Sequence, residues 1–204
     1  LVVGWAADHG VSLVVDEIYH GITYDVDCAS ALAYSDDLIV FNSFSKYFSM
    51  TGWRLGWVVA PLEMAAAIER LAQSLTIAPP TISQVAALAA FECLDELDAN
   101  VDRYRRNRTV MLDGLTRAGL TRNAPADGAF YVWADVSDLV PVVGSSSQDL
   151  ARVWLEELGV AATPGIDFDR ERGQDFIRFS YASSTDAIAE AMARIEAWVE
   201  DTGS

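Results

Sequence analysis

The chain has 204 residues, 51% of them hydrophobic, and a formal charge of -16 at neutral pH. That is enough apolar material to bury the core of one domain or two small ones, while so acidic a balance excludes a nucleic-acid surface, whose phosphates require clustered cations. No apolar stretch approaches the roughly 20 residues that cross a bilayer and no charged-then-apolar leader opens the chain, so no membrane association and a cytoplasmic location are expected.

In chain order, residues 1–10 read as the last turns of a helix ending at Gly10, with further chain expected upstream. Val11 to Asp16 is a short, nearly continuous apolar run, the pattern of a strand covered on both faces in a parallel sheet. Leu38 to Phe41 repeats it, Glu17 to Asp37 is long enough for a crossover, and Leu55 to Ala60 supplies a third strand. Pro61 marks the start of a helix. After the Pro79-Pro80 break, one long helix is predicted from about Ser83 to Leu115, capped at Thr81 or Ser83 and joining two lobes. Arg103, Arg105, Arg106 and Arg108 fall on its solvated face.

Beyond Gly119, strand patterns at Ala129 to Ala134, Val160 to Thr163 and Phe176 to Tyr181 alternate with helical patterns at Gln148 to Leu158 and Asp186 to Glu200. This predicts a small second α/β lobe, with Gly144 to Ser147 as a mobile loop. Phe130, Tyr131 and Trp133 read as core. Cys28 and Cys93 are far apart, and neither His9 nor His20 has a partner at i+4, so no metal site is read and the thiols are expected to be reduced and structural.

Lys46 is the one lysine, against thirteen arginines. A genome that favours arginine codons accounts for the count alone; the surroundings carry the weight. Ser43 and Ser45 are short donors suited to a phosphate, and Arg54 adds a two-point fork for the same oxyanion. An amine beside such an anion site fits attack on a phosphorylated aldehyde. Asp16 stands at a strand's carboxyl end, where open α/β sheets gather ligands; an acid there can hold a ring nitrogen protonated, and by itself it also reads as a cap or ion-pair partner. Tyr19, three residues on, could share that crevice or simply be a packed aromatic.

Val15-Asp16-Glu17-Ile18-Tyr19, Ser43-Phe44-Ser45-Lys46 and Gly52-Trp53-Arg54-Leu55-Gly56 together resemble the class I/II pyridoxal-phosphate-dependent aminotransferases. Pro125 to Tyr131, Thr163 to Phe168 and Ile177 to Ser180 extend the likeness, as small-domain entry, substrate loop and carboxylate-binding strand. The resemblance implies an α/β fold: part of the large-domain sheet of a fold type I enzyme over residues 1–80, a long connecting helix over 81–118 and a small C-terminal α/β domain over 119–204. It implies that Lys46 bonds covalently to pyridoxal 5'-phosphate and moves the substrate proton. Asp16 then partners the ring nitrogen, Tyr19 the ring oxygen, and Ser43, Ser45 and Arg54 the phosphate. Arg178 grips the substrate carboxylate, although read alone it would be a structural ion pair.

The family's glycine-rich phosphate loop, ring-stacking aromatic and Asn-Pro-rich region are not in this sequence. The likeness is therefore to roughly the C-terminal half of such an enzyme. A homodimer, a requirement for the N-terminal half and little activity of this chain alone are expected, with an amino acid and a 2-oxo acid as substrates. A C–S β-lyase using the same constellation and a non-catalytic ligand-sensing module are the alternatives.

Overall fold

The computed structural model describes residues 2–202; Leu1, part of the last helical turns expected over residues 1–10, lies outside them. The chain forms two compact units, Leu1–Val101 and Asp102–Ser204.

In the first unit, helix α1 (Val2–Asp8) leads into a sheet of β1 (Val14–Asp16), β2 (Ile39–Ser43) and β3 (Gly56–Val59), in the order β1-β2-β3. β1 and β2 are parallel, as their apolar runs predict, and β3 pairs antiparallel with β2. The crossover from β1 to β2 holds only one short 3-10 turn, Ala31–Ala33. Its order comes from Glu17, whose Oε1 accepts from Ser30 Oγ at 3.1 Å and from the Ala31 amide at 2.7 Å. The expectation of strands covered on both faces is corrected: Val14 is 56% and Phe41 48% exposed. Cys28 and Cys93 are likewise exposed free thiols rather than structural ones.

Helix α2 (Leu62–Leu75) starts after Pro61 and buries none of its residues. The single long helix expected next is two: α3 (Thr81–Ala90) and α4 (Leu94–Arg117). Ala90 packs with Phe44 and Met50, and Phe91 turns its ring toward Phe44 and Phe48, 5.8 and 5.3 Å between centres. The Glu92 and Cys93 amides then bond back three residues to Ala89 and Ala90, tightening the chain out of α-helical register. Asp95 and Glu96 favour the restart, as carboxylates do at a helix N-terminus. Pro80, not Thr81 or Ser83, occupies the cap of α3, without a side-chain bond.

The second unit is an antiparallel sheet of β4 (Tyr131–Asp135), β5 (Thr163–Pro164) and β6 (Phe176–Ser180), with β6 central. The predicted Val160 to Thr163 strand is thus reduced to two residues at its end. Val132, Ala134, Ile177 and Phe179 alternate onto the buried face. Leu115 of α4 and Met192 and Ile195 of α7 (Thr185–Thr202) belong to the same buried set. Between the strands lie a short turn of helix, α5 (Val140–Val143), and α6 (Ser147–Val153), which continues as a π-helical turn, Trp154–Leu158. The Gly144 to Ser147 segment is not a free linker. Ser146 caps α6, and Asp149 Oδ2 accepts from the Ser145 amide at 3.0 Å and from Ser146 Oγ at 3.1 Å.

Asn107, fully buried, ties α4 to the chain entering α7. Its Nδ2 donates to the carbonyls of Tyr181 (2.9 Å) and Ser183 (2.8 Å), and its Oδ1 accepts from Thr185 Oγ1 at 2.7 Å. Every polar atom is satisfied, so deletion strands three partners. Asn107→Ala should lower unfolding stability by about 3 kcal/mol in a denaturant titration; a change within about 0.5 kcal/mol would show that water replaces the amide.

Candidate active site

Asp16, the last residue of β1, is in register with Phe41, two residues before β2 ends at Ser43, and the Glu17 amide donates to Phe41 O at 2.8 Å. The chain leaving β1 then reaches Tyr19 and the chain leaving β2 reaches Lys46. These exits meet, with Lys46 Nζ 5.6 Å from the centre of the Tyr19 ring. Asp16 is exposed at the strand end, and its Oδ1 accepts from the Ile18 amide at 3.0 Å. One carboxylate oxygen is thereby fixed and the other is left for a donor.

Ser43 Oγ lies 2.9 Å from Ser45 Oγ and 3.1 Å from Leu55 O, and it accepts from the Ser45 amide at 3.0 Å. The single Ser43 proton serves one acceptor at a time. When it goes to Ser45, the Ser45 proton can point at an external oxyanion. Phe44, between the two serines, points the opposite way into a core with Met50, Ala87 and Ala90. Its ring packs on Phe48 and Trp57 at 4.8 and 5.0 Å. The serines therefore stand on a rigid apolar floor.

Thr51 joins Arg54 to this turn: Thr51 Oγ1 donates to Ser45 O at 2.6 Å, and Arg54 Nη1 donates to Thr51 O at 3.1 Å. Arg54 adopts a left-handed backbone (φ 53), as does Ser49 (φ 57), conformations that cost a side-chain-bearing residue about 1–2 kcal/mol. The cost is met by the Phe44 amide donating to Leu55 O (3.1 Å) and the Met50 amide donating to Phe44 O (2.9 Å). Arg54 is exposed and has no acidic partner among the described residues.

Tyr47 and Asp98 carry no signal in the sequence, being far apart in it. Tyr47 Oη donates to Asp98 Oδ1 at 2.6 Å. Partial burial, and then the hydrogen bond to and charge of Asp98, push the phenol up to about 12.

In the second unit, Arg178 sits on the half-exposed face of β6, opposite Trp133 of β4 and Thr163 of β5. Its Cζ lies 4.2 Å from the Tyr131 ring centre and 4.1 Å from that of Phe168. Its Nε is buried without a hydrogen-bond partner, and no acidic side chain pairs with it among the described residues. The structural ion pair that Arg178 suggests in isolation is absent. Two rings packed close to Cζ hold the guanidinium without neutralising it, and such a planar fork can meet a carboxylate at two points. Tyr131 is accordingly a wall of this arginine rather than core, whereas Phe130 is buried, 5.3 Å from the Tyr104 ring. Trp133, half-buried, stacks on Phe176 at 5.4 Å.

The loop bearing Phe168 is set by a close crossing of two glycines. A Cβ on Gly165 would lie 2.6 Å from Gly173 O, and one on Gly173 would lie 2.3 Å from Gly165 O. Ser147 Oγ, buried, donates to Gly173 O at 2.8 Å.

A family model described as aminotransferase class I and II matches residues 2–195. The chain belongs to this family. It is 45% identical over 202 residues to a valine–pyruvate aminotransferase of Mycobacterium tuberculosis, covering 97% of this chain and 51% of that protein. It is 40% identical over 189 residues to a (5-formylfuran-3-yl)methyl phosphate transaminase of Methanocaldococcus jannaschii, covering 90% of this chain and 49% of that protein. A crystal structure of an aminotransferase from Mycobacterium tuberculosis superposes with a TM-score of 0.92 at 44% identity, over 98% of this chain and 52% of that one. The α/β fold is thus the aminotransferase fold type I, and the chain spans about half the length of the curated relatives it matches.

The stabilisation drawn from the Tyr47 phenol is complete below its ordinary value of 10.0 and is lost as the pH rises through about 12. The difference in phenolate absorbance between the parent protein and Tyr47→Phe should therefore show one hydroxyl ionising near pH 12. A difference titration centred near 10.0 would remove the role given to Asp98.

Proposed function

We propose that this chain provides the lysine-bearing and carboxylate-binding parts of a pyridoxal-phosphate-dependent aminotransferase that moves an amino group between an amino acid and a 2-oxo acid. One observation carries the reading: the single lysine lies over Tyr19 where two strand ends meet. Beside it are a hydroxyl pair and, through Thr51, an arginine with no acidic partner among the described residues.

The donor set fits pyridoxal 5'-phosphate. Asp16 offers a carboxylate oxygen to a ring nitrogen, the Tyr19 phenol a proton to a ring oxygen, Ser43, Ser45 and Arg54 a hydrogen-bonding, cationic seat for a phosphate, and Lys46 an amine for covalent attachment. When bound, the cofactor supplies the aldehyde for that attachment and a cationic ring that accepts the electron pair left at the substrate's Cα. With the cofactor bound, the Lys46 amine would carry the proton from the substrate's Cα to the cofactor carbon that bore the aldehyde, and the reverse for the oxo-acid acceptor. Asp16 would hold the ring nitrogen in its protonated form by placing a carboxylate charge beside it. Arg178, packed beside Tyr131 and Phe168, would grip the substrate carboxylate at two points.

The two relatives are named for transaminations, which supports amino transfer over C–S β-lysis or a sensing role. Because the chain spans about half of those proteins, activity is assigned to the whole protein and not to this portion alone. Leu62, Leu71, Leu75, Ile77, Ile82 and Leu88 are exposed apolar side chains that suit contact with further protein and assembly as a homodimer. No helix among the described residues is long and apolar enough to cross a membrane, and the free thiols suit a reducing, cytoplasmic compartment.

Borohydride reduction in the presence of pyridoxal phosphate should add one cofactor mass, on Lys46, and none in Lys46→Ala. Absence of the adduct from the whole protein would overturn the reading. Arg178→Lys removes the planar fork and should raise the KM for the amino acid by about tenfold or more, with a smaller effect on kcat; an unmoved KM would place the carboxylate elsewhere.

A further inference from the structure

The turn that carries Lys46 touches the segment leaving β1 twice. Lys46 Nζ lies over the Tyr19 ring at 5.6 Å. The next side chain, Tyr47, covers Gly21, where a Cβ would stand 2.9 Å from Tyr47 Cδ2. Gly21 has φ +88, so both its conformation and its lack of a side chain are needed for this approach. The other end of the Tyr47 ring reaches α4, where its hydroxyl donates to Asp98 Oδ1 at 2.6 Å. A second, longer bond runs from Asn100 Nδ2 to Ser49 Oγ at 3.5 Å.

We propose that Tyr47 is a positioning residue: clamped between the Gly21 backbone and the Asp98 carboxylate, it fixes the turn so that the Lys46 amine is held over Tyr19. The physical argument is one of leverage. Lys46 has four rotatable side-chain bonds and sits in a turn whose Ser49 is left-handed, so backbone drift there would be magnified at Nζ. Tyr47 is rigid, with only two side-chain torsions, and its hydroxyl bond is charge-assisted and short. The phenol stays protonated up to about pH 12, so the donor persists at neutral pH. Asp98 lies near the N-terminal end of α4, whose neighbouring Leu97 and Val101 are buried, so the anchor itself is fixed.

The inference rests on the catalytic role proposed for Lys46, but its test does not. Because Lys46 is the one lysine, its amine can be followed by peptide mapping during reaction with acetic anhydride, with no cofactor present. Tyr47→Phe and Asp98→Ala should each raise the acetylation rate of Lys46 about tenfold, the population shift that a hydrogen bond to a charged acceptor maintains. Asp98→Asn keeps an acceptor oxygen without the charge and should give a rise of about threefold, smaller than that of Asp98→Ala. In the whole protein, the pyridoxal phosphate concentration that half-saturates borohydride trapping should rise in the same order. Equal acetylation rates in the parent and all three variants overturn the proposal, as does a rise in Asp98→Asn equal to that in Asp98→Ala. If the rates change as stated but no variant or parent traps pyridoxal phosphate, the positioning stands and the cofactor reading falls.

Discussion

The lysine's environment depends on the parallel pairing of β1 with β2. Asp16, the last residue of β1, stands in register with Phe41 of the parallel β2, so the two chain exits emerge from the same end of the sheet. A slip of one residue would turn every side chain of the strand to the other face and would shift Asp16 and Tyr19 against Ser43 and Lys46. The pairing is held at its end by the Glu17 amide on Phe41 O, while the Glu17 carboxylate gathers the crossover through Ser30 and Ala31. One residue thus fixes the strand end with its backbone and the loop with its side chain.

Charge is arranged economically around the two arginines that matter. In a chain with 30 acidic residues, Arg117, Arg122, Arg152, Arg172 and Arg194 all have carboxylate partners. Arg54 and Arg178 have none among the described residues. Arg122, flanked by Asp135 and Asp138, shows the ordinary arrangement, and it holds Asp135 well down, at about 2. For the anion-binding roles proposed for Arg54 and Arg178, the absence of a neutralising carboxylate is favourable. Arg54 is kept near its turn by a backbone carbonyl and Arg178 by two aromatic faces, both of which orient a guanidinium without satisfying its charge.

The motif residues were legible because their chemistry is local: strand, serine turn, lysine and arginine follow one another closely, and Asp16 and Tyr19 share one strand exit. The apolar runs also announced the parallel strands. Where the reading failed, long-range packing had decided. The expected continuous helix breaks at Phe91 without a glycine or proline, because that ring is drawn to Phe44 and Phe48. The glycine- and serine-rich stretch before α6 is ordered because Asp149 satisfies it. Tyr131 reads as core by composition and becomes a wall of Arg178 because its position on β4 puts it on the half-exposed face of the sheet.

Sequence alone determined the kinds of groups available and their order along the chain, since hydrophobic periodicity and turn-forming residues act over a few positions. Tertiary structure alone decided which of them meet: Lys46 with Tyr19, Tyr47 with Gly21 and Asp98, Arg178 between Tyr131 and Phe168. Such contacts are set by strand register and by packing between segments distant in the chain. Local propensity cannot encode them, because the same short pattern is compatible with many partners until the core selects one.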